Sequence, residues 1–212
     1  DIMLPGGAMS VAPMQRGDSI TLASDGTLSG TARAVTFAAE VEHLAVLADG
    51  PDGPMVALVN AADCNCSAGR NMAGESQNNV DFSGVTPLQS APARAGIDAQ
   101  ALKLMGAATR SMQMAGALQT ILEIAVQYAE ERVAFGRPIG KFQAVSHKFA
   151  EMQMMYQTAR AQTFRVAQML DAGVDPIMEN AVAKAYTTEV NWKVADMAMQ
   201  ILAGAGYILD QD

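Results

Sequence analysis

Histidine and cysteine are nearly absent from this sequence, with two of each in 212 residues, and the scarcity removes whole classes of chemistry. Cys64 and Cys66 sit one residue apart in a polar stretch, Asn60 to Asn71, where a strain-free disulfide is implausible. A metal site would need more ligands than these cysteines with His43 and His147, so two reduced loop thiols and no metal are expected. Basic charge is also short: 14 Lys and Arg against 22 Asp and Glu leave a net charge of −8. Without a basic face, a DNA or RNA partner is disfavoured. No apolar run approaches the roughly 20 residues that cross a bilayer, and no basic region followed by an apolar one opens the chain. The expected location is the cytoplasm. The sequence begins on Asp1 and closes on Asp210-Gln211-Asp212 straight after a helix-like apolar run, so a fragment is expected.

Half of the residues are apolar, enough to bury a sizeable core. Up to residue 96 they fall in short β-like runs: Ser19 to Ser24, Leu28 to Phe37, His43 to Ala48, Met55 to Asn60 and Val80 to Val85. Asp25-Gly26 and the cluster Asp49-Gly50-Pro51-Asp52-Gly53-Pro54 separate the first four and read as hairpin turns. Residues 1–96 are therefore expected to form a small antiparallel β domain.

From residue 97 the period becomes helical. Met105, Ala108, Met112, Ala115, Leu118, Leu122, Ala125 and Ala129 recur at steps of three and four, with Lys103, Arg110, Gln113, Glu123, Gln127 and Glu130 opposite. A second helix is expected from Phe142 to Leu170, along Phe142, Val145, Phe149, Met152, Tyr156, Ala159, Val166 and Leu170. Gly173 can end it, and Asp175-Pro176 announces a third, with Asp175 as side-chain cap. Two apolar seams run along this third helix, Ala183-Tyr186-Val190-Val194-Met197-Ile201 and Ala185-Trp192-Ala195-Met199-Leu202, which predicts a helix central in a bundle. The fold class is thus α+β, a small antiparallel β domain followed by an antiparallel helical bundle over 97–212. A fourth helix would come from beyond residue 212 or from another chain.

Methionine is abundant, at 15 residues. Such faces can be adaptable binding surfaces, but the helical spacing of Met152, Met154, Met155, Met197 and Met199 favours core packing. Trp192 reads as a core or interface anchor. His147 has no acidic or thiol partner predicted beside it.

The densest chemistry lies in Tyr128 to Gln143. Arg132 can give charge-assisted hydrogen bonds to phosphate or carboxylate, Phe135 can lie against a planar ring, and Gln143 can donate and accept. Together they suit a nucleotide; ordinary helix capping by Arg132 at a packed hinge would use the same residues.

The run Arg132-x-x-Phe135-Gly136-Arg137-Pro138-Ile139-Gly140-x-Phe142-Gln143-Ala144-Val145, with His147 and Ala150-Glu151-Met152, resembles the helix-corner-helix signature of the acyl-CoA dehydrogenase family. Gln200-Ile201-Leu202-Ala203-Gly204-Ala205-Gly206-Tyr207 is similar to that family's Gln-x-x-Gly-Gly-x-Gly segment, with Ala203 in place of the first glycine. A methyl there would shift the cofactor or require φ below zero. Gly30-Thr31-Ala32 and its strand pattern look like the family's middle β domain.

The resemblance implies an FAD-dependent acyl-CoA dehydrogenase of fatty acid metabolism, which performs α,β-dehydrogenation of an acyl-CoA thioester. It implies that Arg132 reaches the FAD pyrophosphate, Phe135 and Gln143 the adenosine half, and Gln200 to Gly204 the ADP portion. All would act in trans, toward the flavin of a partner subunit in a homodimer, a dimer of dimers or a heteromer. An electron-transfer flavoprotein-like acceptor is implied as redox partner. The family's Thr-Glu-Pro…Gly-Ser-Asp segment is not found before Asp18. No catalytic residue is assigned: the usual Glu is expected past the last residue, and the alternative family position aligns with Gly106, which cannot act as a base. Glu123, Glu130 and Glu131 fall on or near the polar face of the first helix. Two alternatives remain, a same-fold flavin oxidase or monooxygenase, and a non-catalytic flavin-supporting subunit of a heteromeric dehydrogenase.

Overall fold

The computed structural model describes residues 2–12, 15 and 17–208; Asp1 and the closing Asp210-Gln211-Asp212 lie outside them. The chain divides into two compact units, Asp1–Lys103 and Leu104–Asp212.

The first unit is built on β1 (Met9–Ala12), β2 (Ile20–Leu22), β3 (Leu28–Thr36), β4 (His43–Gly50), β5 (Gly53–Asn60), β6 (Asn65–Ser67), β7 (Gln77–Asp81) and β8 (Gln89–Pro92). They form one sheet in the order β6-β7-β3-β2-β4-β5-β8, with β1 beside β4. Both expected turns are present. Gly26 takes φ of 84° in the β2–β3 connection, and the β4–β5 ladder closes at Gly50↔Gly53 around Pro51-Asp52. Alternation drives the packing: Leu44, Val46 and Ala48 of β4 turn into a core with Ile20, Leu28, Val59, Val80 and Phe82.

Three expectations for this unit are corrected. The sheet is mixed, because β1 pairs in parallel with β4, as does β2 at Thr21↔Asp49; the β2–β3 hairpin lies between them in the chain and serves as the crossover that a parallel pair needs. The strand expected over Val80 to Val85 instead ends at Asp81. There the Asp81 carboxylate accepts hydrogen bonds from the Ser83 N–H and O–H, at 3.0 and 2.6 Å, and turns the backbone out of the ladder. The cysteine stretch is not simply a loop, since Cys66 lies on β6 and pairs across to Val80 of β7. Both thiols are free. Burial pushes the Cys64 thiol up to about 12 and raises that of Cys66, which leaves Cys64 a poor nucleophile.

The second unit is dominated by α1 (Ala99–Glu131), α2 (Gln143–Asp171) and α3 (Ile177–Leu202). Asp98 caps α1, its carboxylate accepting from the Ala101 N–H at 2.8 Å. The α1 seam buries from Ala108 through Ala129, whereas Met105, expected on it, is half exposed because burial begins one turn later. Against it pack Met152, Tyr156 and Ala159 of α2 and Val190, Val194 and Ile201 of α3. Of the clustered methionines Met152 is buried, whereas Met154 is exposed.

The start of α3 differs from expectation. Gly173, at φ of 67°, closes α2 with hydrogen bonds from Gly173 to Leu170 and from Val174 to Met169, the paired pattern of a left-handed helix end. Pro176 itself then occupies the cap position, so Asp175 falls outside the helix and makes no side-chain capping bond. Asn180 ties α3 to α1 by donating from Nδ2 to the Leu104 carbonyl at 2.7 Å.

Nor is α3 apolar-buried around most of its girth. The first seam is covered, but Trp192 of the second is 62 % exposed. Trp192 instead lines an open cleft of about 590 Å³ with Leu104, Ala107, Ala181 and Ala185. No helix among the described residues is long and apolar enough to cross a membrane.

Candidate functional site

The chain leaves α1 with its backbone pinned on both sides of Arg132. The Arg132 N–H continues the helical ladder to the Tyr128 carbonyl at 2.8 Å, and its own carbonyl accepts from the Ile139 N–H at 2.9 Å. Between these two bonds lies a miniature antiparallel hairpin, β9 (Val133–Ala134) and β10 (Arg137–Pro138), paired Val133↔Pro138 and Ala134↔Arg137. Phe135 and Gly136 form its two-residue loop at φ of 51° and 79°. Positive φ at both positions marks a type I′ turn, the geometry that matches strand twist in the tightest hairpins. The expected corner between helices is thus a β-hairpin.

Glycine takes this conformation freely, but a phenylalanine in it costs about 1–2 kcal/mol. Phe135 is also 96 % exposed. The ring is nonetheless held, edge-on to Phe142, and the Arg137 guanidinium lies 4.1 Å from the Phe142 centroid. Gly140 lets this assembly sit against the end of α1: a Cβ there would come within 3.3 Å of the Ala129 carbonyl oxygen. Phe142 is the cap residue of α2, and Gln143 opens the helix with its side chain exposed. Among the described residues, the Arg132 guanidinium has no hydrogen bond or ion pair, and neither has the Gln143 amide.

The second motif follows α3. Ala203 caps the helix at φ 51° and ψ −130°, and Ala203–Tyr207 form a short 3₁₀ turn. Of the two outcomes expected of a methyl at Ala203, a φ below zero is not the one found; the residue keeps a glycine-like backbone and carries the strain. At Gly204 an added Cβ would meet nothing within 4 Å, so its backbone is open to approach. At Gly206 a Cβ would come within 3.0 Å of the Leu202 Cβ, which makes it a packing glycine.

Gln200, on the last turn of α3, accepts at Oε1 from Lys148 of α2 and donates from Nε2 to Asp196 at 2.7 Å. Lys148 belongs to the second turn of α2, so Gln200 and Gly204 lie at the same end of the helical unit as Arg132, Phe135 and Gln143. The Lys148 contact spans 52 positions, and sequence reasoning missed it; the Asp196–Gln200 spacing of four was the only local signal. Glu123, Glu130 and Glu131 are exposed, and Glu123 and Glu131 accept from Gln119 and Gln127 one turn away.

Chemically, this end offers a free guanidinium, an exposed aromatic face, two amides and an open glycine backbone. That donor set fits a nucleotide carrying a diphosphate: a fork for anionic oxygens, a flat surface for a base, and N–H groups where no side chain blocks approach.

The family model described as "Acyl-CoA dehydrogenase, C-terminal domain" matches residues 95–212. The mitochondrial short-chain specific acyl-CoA dehydrogenase of Homo sapiens is 39% identical over 106 residues, 50% of this chain and 26% of that protein. The ChsE4-ChsE5 complex from Mycobacterium tuberculosis is similar at a TM-score of 0.78 and 25% identity, over 94% of this chain and 57% of that one. A glutaryl-CoA dehydrogenase from Mycobacterium smegmatis in complex with FADH2 has the same fold, at a TM-score of 0.80 and 18% identity over 96% of this chain and 57% of that one. The matched part is about a quarter of the length of the curated relative, and the chain covers under two thirds of each of these solved structures.

Proposed function

The chain belongs to the acyl-CoA dehydrogenase family, and from that membership we propose that it is part of an FAD-dependent enzyme performing α,β-dehydrogenation of an acyl-CoA thioester in fatty acid metabolism. The observation that carries the reading is the strained hairpin, which leaves Phe135 exposed, while among the described residues the Arg132 and Gln143 side chains lack partners. Arg132 would hold the pyrophosphate, Phe135 and Gln143 the adenosine half, and Gln200 and Gly204 the ADP portion. A guanidinium fork matches a diphosphate in shape as well as charge, and the open backbone at Gly204 allows N–H groups to approach it.

These groups would act in trans, each subunit of a homodimer or dimer of dimers supporting its neighbour's cofactor. When bound, FAD supplies the hydride acceptor that the chain's own side chains cannot provide. The chain's own task is to bind and orient, and an electron-transfer flavoprotein-like protein would accept the electrons afterwards. The test is spectroscopic. The full-length protein should purify yellow, be bleached by an acyl-CoA under anaerobic conditions, and pass electrons to an artificial acceptor without consuming oxygen. A colourless protein that does not take up FAD overturns the proposal; direct oxygen consumption would point to a flavin oxidase.

A second reading is favoured by the likeness to the ChsE4-ChsE5 complex, an assembly of two different chains. In it the chain is a flavin-supporting subunit of a heteromeric dehydrogenase. Catalytic turnover by this protein purified alone would eliminate it.

A further inference from the structure

The side chain of Gln200 is held from two sides by groups of opposite charge, and that arrangement decides which way its amide faces. An ammonium can only donate and an ionised carboxylate can only accept. The Lys148 contact must therefore be to Oε1, and the Asp196 contact at 2.7 Å must come from Nε2. Lys148 is half-buried on α2, whereas Gln200 and Asp196 are exposed on α3. An exposed glutamine otherwise samples many rotamers, and a ligand that needed one of them would have to order it on binding.

We propose that Lys148 and Asp196 are positioning residues that fix Gln200 before cofactor arrives, with its amide oxygen turned to α2 and one Nε2 hydrogen left to donate to an acceptor-rich ligand. The proposal rests on the reading of Gln200 as a residue of the flavin nucleotide site. The two partners are not equivalent. Lys148 reaches Gln200 from a second helix and fixes its amide oxygen across the gap between them, whereas Asp196 lies one turn away on the same helix, where the backbone already holds the pair in register. Loss of Lys148 is therefore the more damaging change.

The test is FAD titration of the full-length apoprotein, followed by flavin fluorescence. Lys148→Met, which keeps length without a donor, should weaken FAD binding about three- to tenfold, the range of one oriented hydrogen bond. Lys148→Arg should restore binding to within about twofold, and Asp196→Asn should change it by less than about twofold, because its oxygen still accepts. In a Gln200→Ala background, Lys148→Met should add nothing, since residues acting through one another are non-additive. A further loss there would mean that Lys148 acts on the cofactor directly, and would overturn the proposal. So would an unaffected Lys148→Met beside a weakened Gln200→Ala. Failure of the nucleotide reading shows differently, as a Gln200→Ala variant with unchanged FAD affinity. In that case thermal unfolding of the apoproteins decides: non-additive shifts for Lys148→Met and Gln200→Ala support the positioning contact, and additive shifts overturn it.

Discussion

Phe135 stands edge-on to Phe142, with ring centroids 6.2 Å apart and planes at 85°, so the tip of the hairpin is fastened to the cap of α2. An exposed aromatic in a left-handed conformation would be a liability if it only closed a turn, because asparagine or glycine would do so without strain. Strain of this kind persists where function needs the side chain displayed. Phe135→Asn is expected to raise stability by about 1 kcal/mol through relief of the positive-φ cost while weakening FAD retention. Thermal unfolding and flavin titration of the same variant check the two effects. A variant that lost both stability and cofactor would reduce Phe135 to a packing residue.

Arg132 makes a sharper case because its guanidinium has no described partner to lose. Arg132→Gln should leave the thermal midpoint of the apoprotein nearly unchanged and weaken FAD binding roughly 10- to 100-fold, the worth of about 1.5–3 kcal/mol for hydrogen bonds to a charged group. Arg132→Lys should recover only part of this, since a single ammonium does not reproduce the planar fork. Equilibrium titration under constant ionic strength measures both. An unchanged affinity in Arg132→Gln would remove Arg132 from the site.

How much of this was legible beforehand depended on whether the physics was local. The stripes of α1 and α2 repeat over many turns, and burial at Ala115, Leu118, Met152 and Tyr156 follows them. The second stripe of α3 was just as apolar, yet Trp192 is exposed; composition tells how sticky a face is, and the number of neighbours tells whether it is covered. The hairpin at Phe135-Gly136 escaped notice because the usual residue before glycine in such turns is asparagine or aspartate. Arg132, Phe135 and Gln143 stood out because their motif is contiguous. Lys148 did not, because its partner Gln200 lies far along the chain.

Ala203 offers a test of backbone strain independent of any cofactor. Its φ of 51° and ψ of −130° lie where glycine is at ease and alanine is not. Residues held in such regions carry about 1–3 kcal/mol of strain, part of which glycine returns as lost chain entropy. Ala203→Gly should therefore stabilise the protein by about 1 kcal/mol, raising its midpoint by about 2–4 °C. Differential scanning calorimetry is the measurement. A lower midpoint would mean that the alanine methyl contributes packing that outweighs the strain.

In the β unit, Asp18 links stability to acidity. Its side chain is only 2 % exposed, and its Oδ1 lies 2.6 Å from the Arg33 Nε. Burial works to raise the Asp18 pKa, but hydrogen bonds from the Arg33 side chain and from the Gln15 and Arg33 N–H groups outweigh it and hold the carboxyl below its usual value. A pKa lower in the folded than in the unfolded chain means that the unfolded state takes up the proton first. The stabilisation is accordingly complete above about pH 4, the ordinary aspartate value, and is lost as pH falls through the depressed folded value. Asp18→Asn should cost about 1–2 kcal/mol at pH 7, the difference between charged and neutral hydrogen bonding, and the gap from wild type should narrow as pH falls below about 4, the ordinary aspartate value. Denaturant unfolding followed by far-ultraviolet circular dichroism at stepped pH gives the comparison. A gap that stayed constant with pH would mean that Asp18 contributes through shape and hydrogen bonding alone, with no part played by its charge.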